Sequence, residues 1–436
     1  MPTTTSPRLP EYSGWKRRCD WNDTVTATLQ VDATPESMGM SSERLARIAT
    51  HFQRYIDDGR LTGWQISIAR HGKVVYHELA GQRDVAAGTP VEADTIWRIY
   101  SMTKPIVAVL ALQLWEEGAF ELTTPLHRFI PAFRNAKVWR SGNVESPELE
   151  PLAAPIRLWH LLTHTSGLTY GFIRSHPVDA LYRQAGYDFG VPPDADLAAM
   201  CETIAAFPLL FQPGTEWNYS VSFDVLGRVL EVVSGKSLDE LLRTRLLEPL
   251  GMHETGFYVP EANHARVAKL YGAHPVNKLA VLLDQLGDAA LRPPRVLGGG
   301  GGLQSTAYDY NRFTQMLVNE GQLDGVRILS PRTVRYMASN HLPGNADLST
   351  FGRPLRSATT SDGVGFGLGV SVTIDPVKAR VPGNVGDFGW GGAASTFFWV
   401  DPVDHLTAQF FTQLLPSGTH PIRSQLSQLV SQALLD

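Results

Sequence analysis

Cysteine is nearly absent: the chain of 436 residues holds only Cys19 and Cys201. That excludes a disulfide-dense scaffold, and neither residue sits in a CxxC pair of the kind that binds zinc or runs redox chemistry. Two plain thiols in a reducing compartment are expected. Long apolar runs are missing too. No stretch of about 18 apolar residues occurs, so no membrane-spanning helix is expected. The segment Met1-Pro2-Thr3-Thr4-Thr5-Ser6 is polar and no apolar core follows it. It does not read as a secretory leader, and the expected compartment is the cytoplasm. No Lys/Arg stripe is present and the formal net charge is -5, which argues against nucleic acid as a partner.

Several familiar catalytic signatures are also lacking. There is no GxSxG elbow, so Ser166 in Thr165-Ser166-Gly167 reads as a turn or capping residue. His160 and His164 have the i, i+4 spacing of a zinc pair, but Leu161 stands where HExxH needs glutamate. Gly298 to Gly302 lacks the Lys-Ser/Thr that completes a phosphate loop and reads as close backbone packing. Asp387 reads as a solvated, strand-end carboxylate. No metal and no cofactor are expected. Hydrophobic residues make up 43% of the chain and charged residues 19%, an ordinary globular balance.

What is present is a distinctive order of elements. Residues 1–40 read as an extended arm. Leu45, Ile48, Ala49, Phe52 and Ile56 then recur at helical spacing, with Ser41 or Ser42 to cap the helix and Gly59 to end it. Gln65 to Arg70 and Lys73 to Leu79 flank His71-Gly72, a hairpin signal. Near the other end three strand candidates follow, Gly365 to Thr373, Ser395 to Val400 and Leu406 to Leu414, and then a helix from about Ile422 to Leu435. Strands at both ends predict one shared antiparallel sheet covered by helices. The expected class is α+β: an antiparallel sheet flanked by helices, over 41–122 and 266–436. Residues 123–265, mostly helices broken by Pro and Gly, form an inserted helical domain. A cleft between two such lobes is a usual small-molecule site.

Three segments carry the chemistry. In Tyr100-Ser101-Met102-Thr103-Lys104-Pro105, Ser101 opens a long apolar run that reads as a buried helix. Lys104 is one turn on and shares its face. A serine hydroxyl needs an adjacent base, and a lysine amine serves when its surroundings favour the unprotonated form. The helix N-terminus favours an oxyanion. The second segment, Pro213-Gly214-Thr215-Glu216-Trp217-Asn218-Tyr219-Ser220-Val221, sets Tyr219 on the connection into an apolar-periodic helix that Gly235 closes. The third, Gly386-Asp387-Phe388-Gly389-Trp390-Gly391-Gly392-Ala393-Ala394-Ser395, places glycines beside a strand, where a ligand can approach the backbone.

Together these segments resemble the serine β-lactamase and penicillin-recognising superfamily, and within it the class C β-lactamase-like esterases called family VIII carboxylesterases. Leu161-Leu162-Thr163-His164-Thr165-Ser166-Gly167-Leu168 and Gly299-Gly300-Gly301-Gly302-Leu303-Gln304-Ser305-Thr306 extend the likeness over roughly residues 40 to 430. The resemblance implies Ser101 as nucleophile, Lys104 as its SxxK partner and Tyr219 as the tyrosine of a YxN motif. It implies an oxyanion hole from the backbone N–H groups of Ser101 and Ala393. It also implies a substrate wall from Trp390, Gly391, Gly392 and Val221. Which of Lys104 and Tyr219 takes the serine proton stays open.

Two positions depart from the lactamase pattern. Val221 stands where YxN has asparagine, and Trp390 where the third motif has lysine. Both losses remove donors that hold a polar substrate, which favours uncharged esters with apolar acyl groups. The expected partner is a small-molecule ester, with weak β-lactam turnover as a side activity; oligomeric state is not legible. An acyltransferase that passes the acyl group to an alcohol, a β-lactamase or D-peptidase, and a non-catalytic β-lactam or peptide binder are the alternative readings.

Overall fold

In the computed structural model, residues 26–188, 190–192, 194–353 and 362–436 are described. Cys19 and most of the N-terminal arm lie outside these residues.

Strands from the two ends of the chain meet in one sheet. The N-terminal part supplies β1 (Gly63–Arg70), β2 (Lys73–Asp84) and β3 (Thr89–Pro90). The C-terminal part supplies β4 (Val364–Phe366), β5 (Ser371–Thr373), β6 (Phe388–Gly391), β7 (Phe397–Asp401) and β8 (Leu406–Phe411). The spatial order is β4-β5-β6-β7-β8-β1-β2-β3, antiparallel throughout. The junction is β1 against β8, with Gln65 opposite Phe411 and Arg70 opposite Leu406. His71 and Gly72 both have positive φ, at 49° and 78°, which matches the twist a two-residue hairpin needs.

Five helices position the rest: α1 (Ser42–Asp57), α2 (Thr103–Glu116), α3 (Ser222–Ser234), α4 (Ala307–Val318) and α5 (Ile422–Ser431). The Ser41 side chain accepts from the Arg44 N–H and caps α1, which then buries Leu45, Ile48, Phe52 and Tyr55. These pack with Ile66, Ile68, Phe410 and the Leu426 and Val430 side chains of α5 on the outer face of the sheet. α2 is apolar all round and buried along almost its whole length, as such a helix must be. Its Ile106, Val109 and Leu110 join Phe223 and Leu226 of α3, Phe313 of α4, and Phe398 and Val400 of β7 in the inner core.

The structure corrects several boundaries. Gly365 to Thr373 is not one strand. It is the hairpin β4–β5, because the chain turns at Gly367 to Val370, where Gly369 has φ +85°. β7 begins at Phe397, since Ser395 takes a left-handed φ of 68° inside a turn. β8 ends at Phe411, and Leu414–Leu415 instead pairs in parallel with Tyr271–Ala273. The last helix stops at Ser431. Residues 123–265 carry helices Leu158–Leu162, Pro177–Gln184 and Leu197–Ala205 besides α3, and also a hairpin of Lys137–Gly142 with Pro147–Pro151. Cys201 is a free, buried thiol whose pKa burial raises above its usual range. Among the described residues no helix is long and apolar enough to cross a membrane.

Candidate active site

Ser101 lies on a single 3-10 turn, Tyr100–Met102, that leads into α2. The residue before it, Tyr100, has φ +44°. A left-handed backbone at a non-glycine residue costs about 1–3 kcal/mol and persists only where the surroundings hold it. Here β6 packs against this turn. A Cβ on Gly392 would sit 2.5 Å from the Ile99 carbonyl oxygen, so only glycine lets the strand end come that close.

Lys104 is fully buried in the first turn of α2. Its Nζ lies 3.2 Å from Ser101 Oγ and 2.6 Å from Tyr219 Oη. The Tyr219 hydroxyl is itself 2.5 Å from Ser101 Oγ. Hydroxyl, phenol and amine thus form a closed triangle, brought together from two distant stretches of chain.

The loop that carries Tyr219 is tied to the segment 164–169. The Asn218 N–H donates to the His164 carbonyl at 2.9 Å, and the Asn218 side-chain amide donates to the Leu168 carbonyl at 3.0 Å. The Val221 N–H donates to the Thr169 carbonyl at 3.3 Å. His164 has a backbone φ of +55°; its ring lies 4.9 Å from the Tyr219 ring, tilted by 55°, and its Nδ1 is 3.1 Å from Ser220 Oγ. Complete burial holds this imidazole well below its usual pKa, and the neighbouring Lys104 charge adds to that, so it is neutral.

The remaining candidates fall into place around this triangle. His160 Nδ1 accepts the Arg157 N–H at 2.9 Å and caps the helix Leu158–Leu162; burial pushes its pKa down to about 4. Ser166 Oγ bonds Ser222 Oγ at 2.8 Å and accepts the Leu168 N–H at 3.2 Å, the work of a turn residue. Among the described residues no group of three or more His, Cys, Asp or Glu is placed to hold a metal ion. The Asp387 reading needs correction. Its carboxyl is not simply solvated: burial, with Asp401 alongside, pushes its pKa up to about 8. Asn384 joins that corner, donating to Asp401 and Asp404 at 2.8 Å each.

Trp390 is buried beside Tyr219, ring centroids 5.7 Å apart, and edge-on to Phe366 at 5.3 Å. Its indole N–H is buried and meets no acceptor among the described residues. Val221 is buried as well. Ala393 is partly exposed. Its carbonyl accepts the Ser417 N–H at 2.7 Å, while its own N–H meets no acceptor among the described residues.

Four groups escaped the sequence reading. The Gly300 carbonyl accepts from Lys104 Nζ at 2.6 Å, and the Tyr170 hydroxyl lies 3.1 Å from the same atom. Asp224, buried in α3, accepts the Gly300 N–H at 3.0 Å and is hydrogen-bonded by Tyr170. Burial drives the Tyr170 phenol well above its usual pKa, with Asp224 and Tyr219 pushing the same way. Burial also raises Asp224, and Lys104 and the Gly300 N–H oppose that rise. The signal was an aspartate inside an otherwise apolar helical run, Ser222-Phe223-Asp224-Val225-Leu226. Arg423, at the start of α5, lies against the Gly391 α-carbon, where a Cβ would be 2.0 Å from its Nη2; burial lowers its pKa to about 10.

A serine whose proton has both a phenol and an amine within reach, set on a helix-covered antiparallel sheet of this topology, is the arrangement of a serine hydrolase-type enzyme. The chain belongs to the beta-lactamase family, whose model matches residues 48–431. It is 37% identical over 364 residues to Protein Rv1367c of Mycobacterium tuberculosis, covering 83% of this chain and 88% of that protein. It is 31% identical to Esterase EstB of Burkholderia gladioli over 403 residues, covering 89% and 95% of the two chains. Among solved structures it is similar to EstCE1, described as a hydrolase with promiscuous acyltransferase activity. There the TM-score is 0.74 at 27% identity, over 89% of this chain and 99% of that one. This company is that of the class C β-lactamase-like esterases.

Proposed function

We propose that the protein is a carboxylesterase that hydrolyses short- to medium-chain esters through an acyl-enzyme on Ser101. One observation carries the reading: Tyr219 Oη stands 2.5 Å from Ser101 Oγ and 2.6 Å from Lys104 Nζ. Ser101 Oγ attacks the ester carbonyl while its proton enters the Tyr219–Lys104 pair. The backbone N–H groups of Ser101 and Ala393 face the oxyanion. Collapse expels the alcohol, which takes the proton back. Water then attacks the acyl-enzyme by the same route and releases the acid.

The substrate side is apolar. Val221 offers no polar group, and Trp390 turns an aromatic ring, with no free ammonium, to the site. A site without those donors gains little from a β-lactam carboxylate or amide. Likeness to EstB supports ester chemistry, and near absence of cysteine fits a reducing compartment. Hydrolysis of p-nitrophenyl acetate or butyrate tests the reading, with nitrocefin run beside them. Ester turnover is expected to vanish in Ser101→Ala, and activity retained in that variant refutes the proposal. The description of EstCE1 favours one further reading, acyl transfer to an alcohol. Added alcohol acceptor would then divert product from acid to new ester.

A further inference from the structure

A second polar system runs behind the site, built from four fully buried side chains. His164 Nδ1 lies 3.1 Å from Ser220 Oγ, Ser220 Oγ 2.8 Å from Ser222 Oγ, and Ser222 Oγ 2.8 Å from Ser166 Oγ. At the far end Ser166 Oγ accepts the Leu168 N–H at 3.2 Å. Among the described residues His164 Nε2 meets no hydrogen-bond partner. Counting donors fixes the direction of this ladder. Each serine has one O–H, and a neutral imidazole has one N–H and one lone pair. With the proton on Nδ1, His164 would donate to Ser220, Ser220 to Ser222 and Ser222 to Ser166. The Ser166 O–H would then lack an acceptor and the Nε2 lone pair a donor. In the opposite sense Ser166 donates to Ser222, Ser222 to Ser220, and Ser220 to His164 Nδ1. Every hydroxyl is then satisfied, and the one group left over is an N–H at Nε2. Each unpaired buried group opposes folding, so the second sense wins.

What that N–H meets is aromatic. The rings of Tyr219, Phe223, Phe366 and Trp217 surround His164, with centroids 4.9, 5.3, 5.5 and 5.9 Å from its own. Their planes are inclined to the imidazole by 50° to 77°. Aromatic faces are negative and an N–H is positive, so this tautomer is attracted where a lone pair would be repelled. Two of the four rings, Tyr219 and Phe366, also touch Trp390, at 5.7 and 5.3 Å.

We propose that the hydroxyl ladder Ser166–Ser222–Ser220 locks His164 as its Nε2–H tautomer, and that His164 so held is a positioning residue whose N–H gathers the rings of Tyr219 and Phe366 behind Trp390. Among the described residues no hydrogen bond joins His164 to Ser101 or Lys104, so it acts through the Tyr219 ring. The ladder also joins the segment 164–169 to Ser222, the first residue of α3. The tautomer holds whatever the reaction is. The positioning role rests on the acyl-enzyme reading of Ser101, and the tests separate the two.

Nitrogen-15 NMR of the wild-type protein, labelled at histidine, reads the tautomer without any turnover. His164→Asn assigns the signal, since asparagine tolerates the left-handed φ of +55°. The expected His164 spectrum shows a protonated Nε2 and a bare Nδ1, and a proton on Nδ1 overturns the ladder. In Ser220→Ala the last rung is gone, and a share of the Nδ1–H form should appear; an unchanged spectrum there shows that the serines do not set the tautomer. With p-nitrophenyl butyrate, kcat of Ser220→Ala should fall about 10-fold with KM held within about twofold, as expected when a reacting group is slightly displaced. The rate at which a fluorophosphonate labels Ser101 should slow by a similar factor. A lowered melting temperature with kcat and labelling unchanged overturns the positioning role, as does a loss confined to KM. Should Ser220→Ala fail to fold, His164→Asn carries the kinetic test: it keeps an acceptor for Ser220 and has no ring, and an unchanged kcat in it refutes the role. A wild-type protein that labels rapidly yet hydrolyses no ester sinks the esterase reading and leaves the ladder standing.

Discussion

On the outer face of the sheet, Phe52 of α1 lies 5.1 Å from Phe410 of β8 and edge-on to Trp64 of β1 at 6.3 Å. At its rim, His51 Nε2 and the Tyr55 hydroxyl both reach the side-chain oxygen Oε1 of Gln425, at 3.0 and 2.8 Å. On the inner face, beneath α2, a lysine, a carboxylate, two phenols and an imidazole are withdrawn from water within one cluster. Three non-glycine residues near that cluster, Tyr100, His164 and Ser395, hold left-handed backbone. The two faces use one apolar filling and differ in what is set into it. Burying charge and straining backbone both oppose folding. The outer layer meets such costs only toward its rim, at His71 and Asp387, whereas the inner layer concentrates them around one cluster.

The sharpest way to break this contrast is to strike the inner face. Lys104→Ala and Tyr219→Phe should each lower kcat by about 10²-fold or more if they carry the proton. Thermal melts of the same variants should show little loss of stability. A variant that melts far below wild type while keeping its kcat would reverse the assignment of roles. The converse substitution, Phe410→Ala, should cost about 3–5 kcal/mol in denaturant unfolding through the cavity it leaves. The folded fraction should keep its kcat, and a selective fall in kcat would show that the outer layer also shapes the site.

A smaller effect is expected at the outer rim. In the folded chain the Asp387 carboxyl is raised from its ordinary 3.8 to about 8, chiefly by burial. The unfolded chain therefore gives up this proton first. Stability from the neutral carboxyl is whole below pH of about 3.8 and is lost as pH rises through about 8. Asp387→Asn should flatten the decline of melting temperature between about pH 5 and pH 8, a change of a few degrees. Equal slopes in the two proteins would show that the acidic corner is not titrating with folding.

Much of the molecule was legible because its chemistry obeys local spacing. Ser101 and Lys104 share a helix face at i, i+3, and Tyr219 stands on a Pro-Gly-marked loop into a periodic helix. The shared sheet followed from strand signals at both ends. What stayed hidden was set by packing between remote segments. Nothing near Tyr170 announces that its oxygen meets Asp224 and Lys104. Asp224 reads as a flaw in an apolar stripe until Gly300 closes on it. β6 escaped because Gly389 and Gly391 have no strand propensity, and the close approach of neighbouring backbone selects them. The hairpin within 137–151 is charged and exposed along most of its length, so no alternating pattern marks it.

The pairing of β1 with β8 bears on how the molecule is made. During translation the first hairpin emerges early, and the strand that completes its edge comes only after most of the polypeptide. Contacts so distant in sequence form slowly. An uncovered strand edge is meanwhile a template for pairing with other nascent chains. Ser101, Lys104 and Tyr219 all leave the ribosome before the segment bearing Trp390 and Gly392. A truncated translation product would carry Ser101 without the strand that packs on its turn, so on the proposed mechanism reactivity would begin only once the late strands have docked.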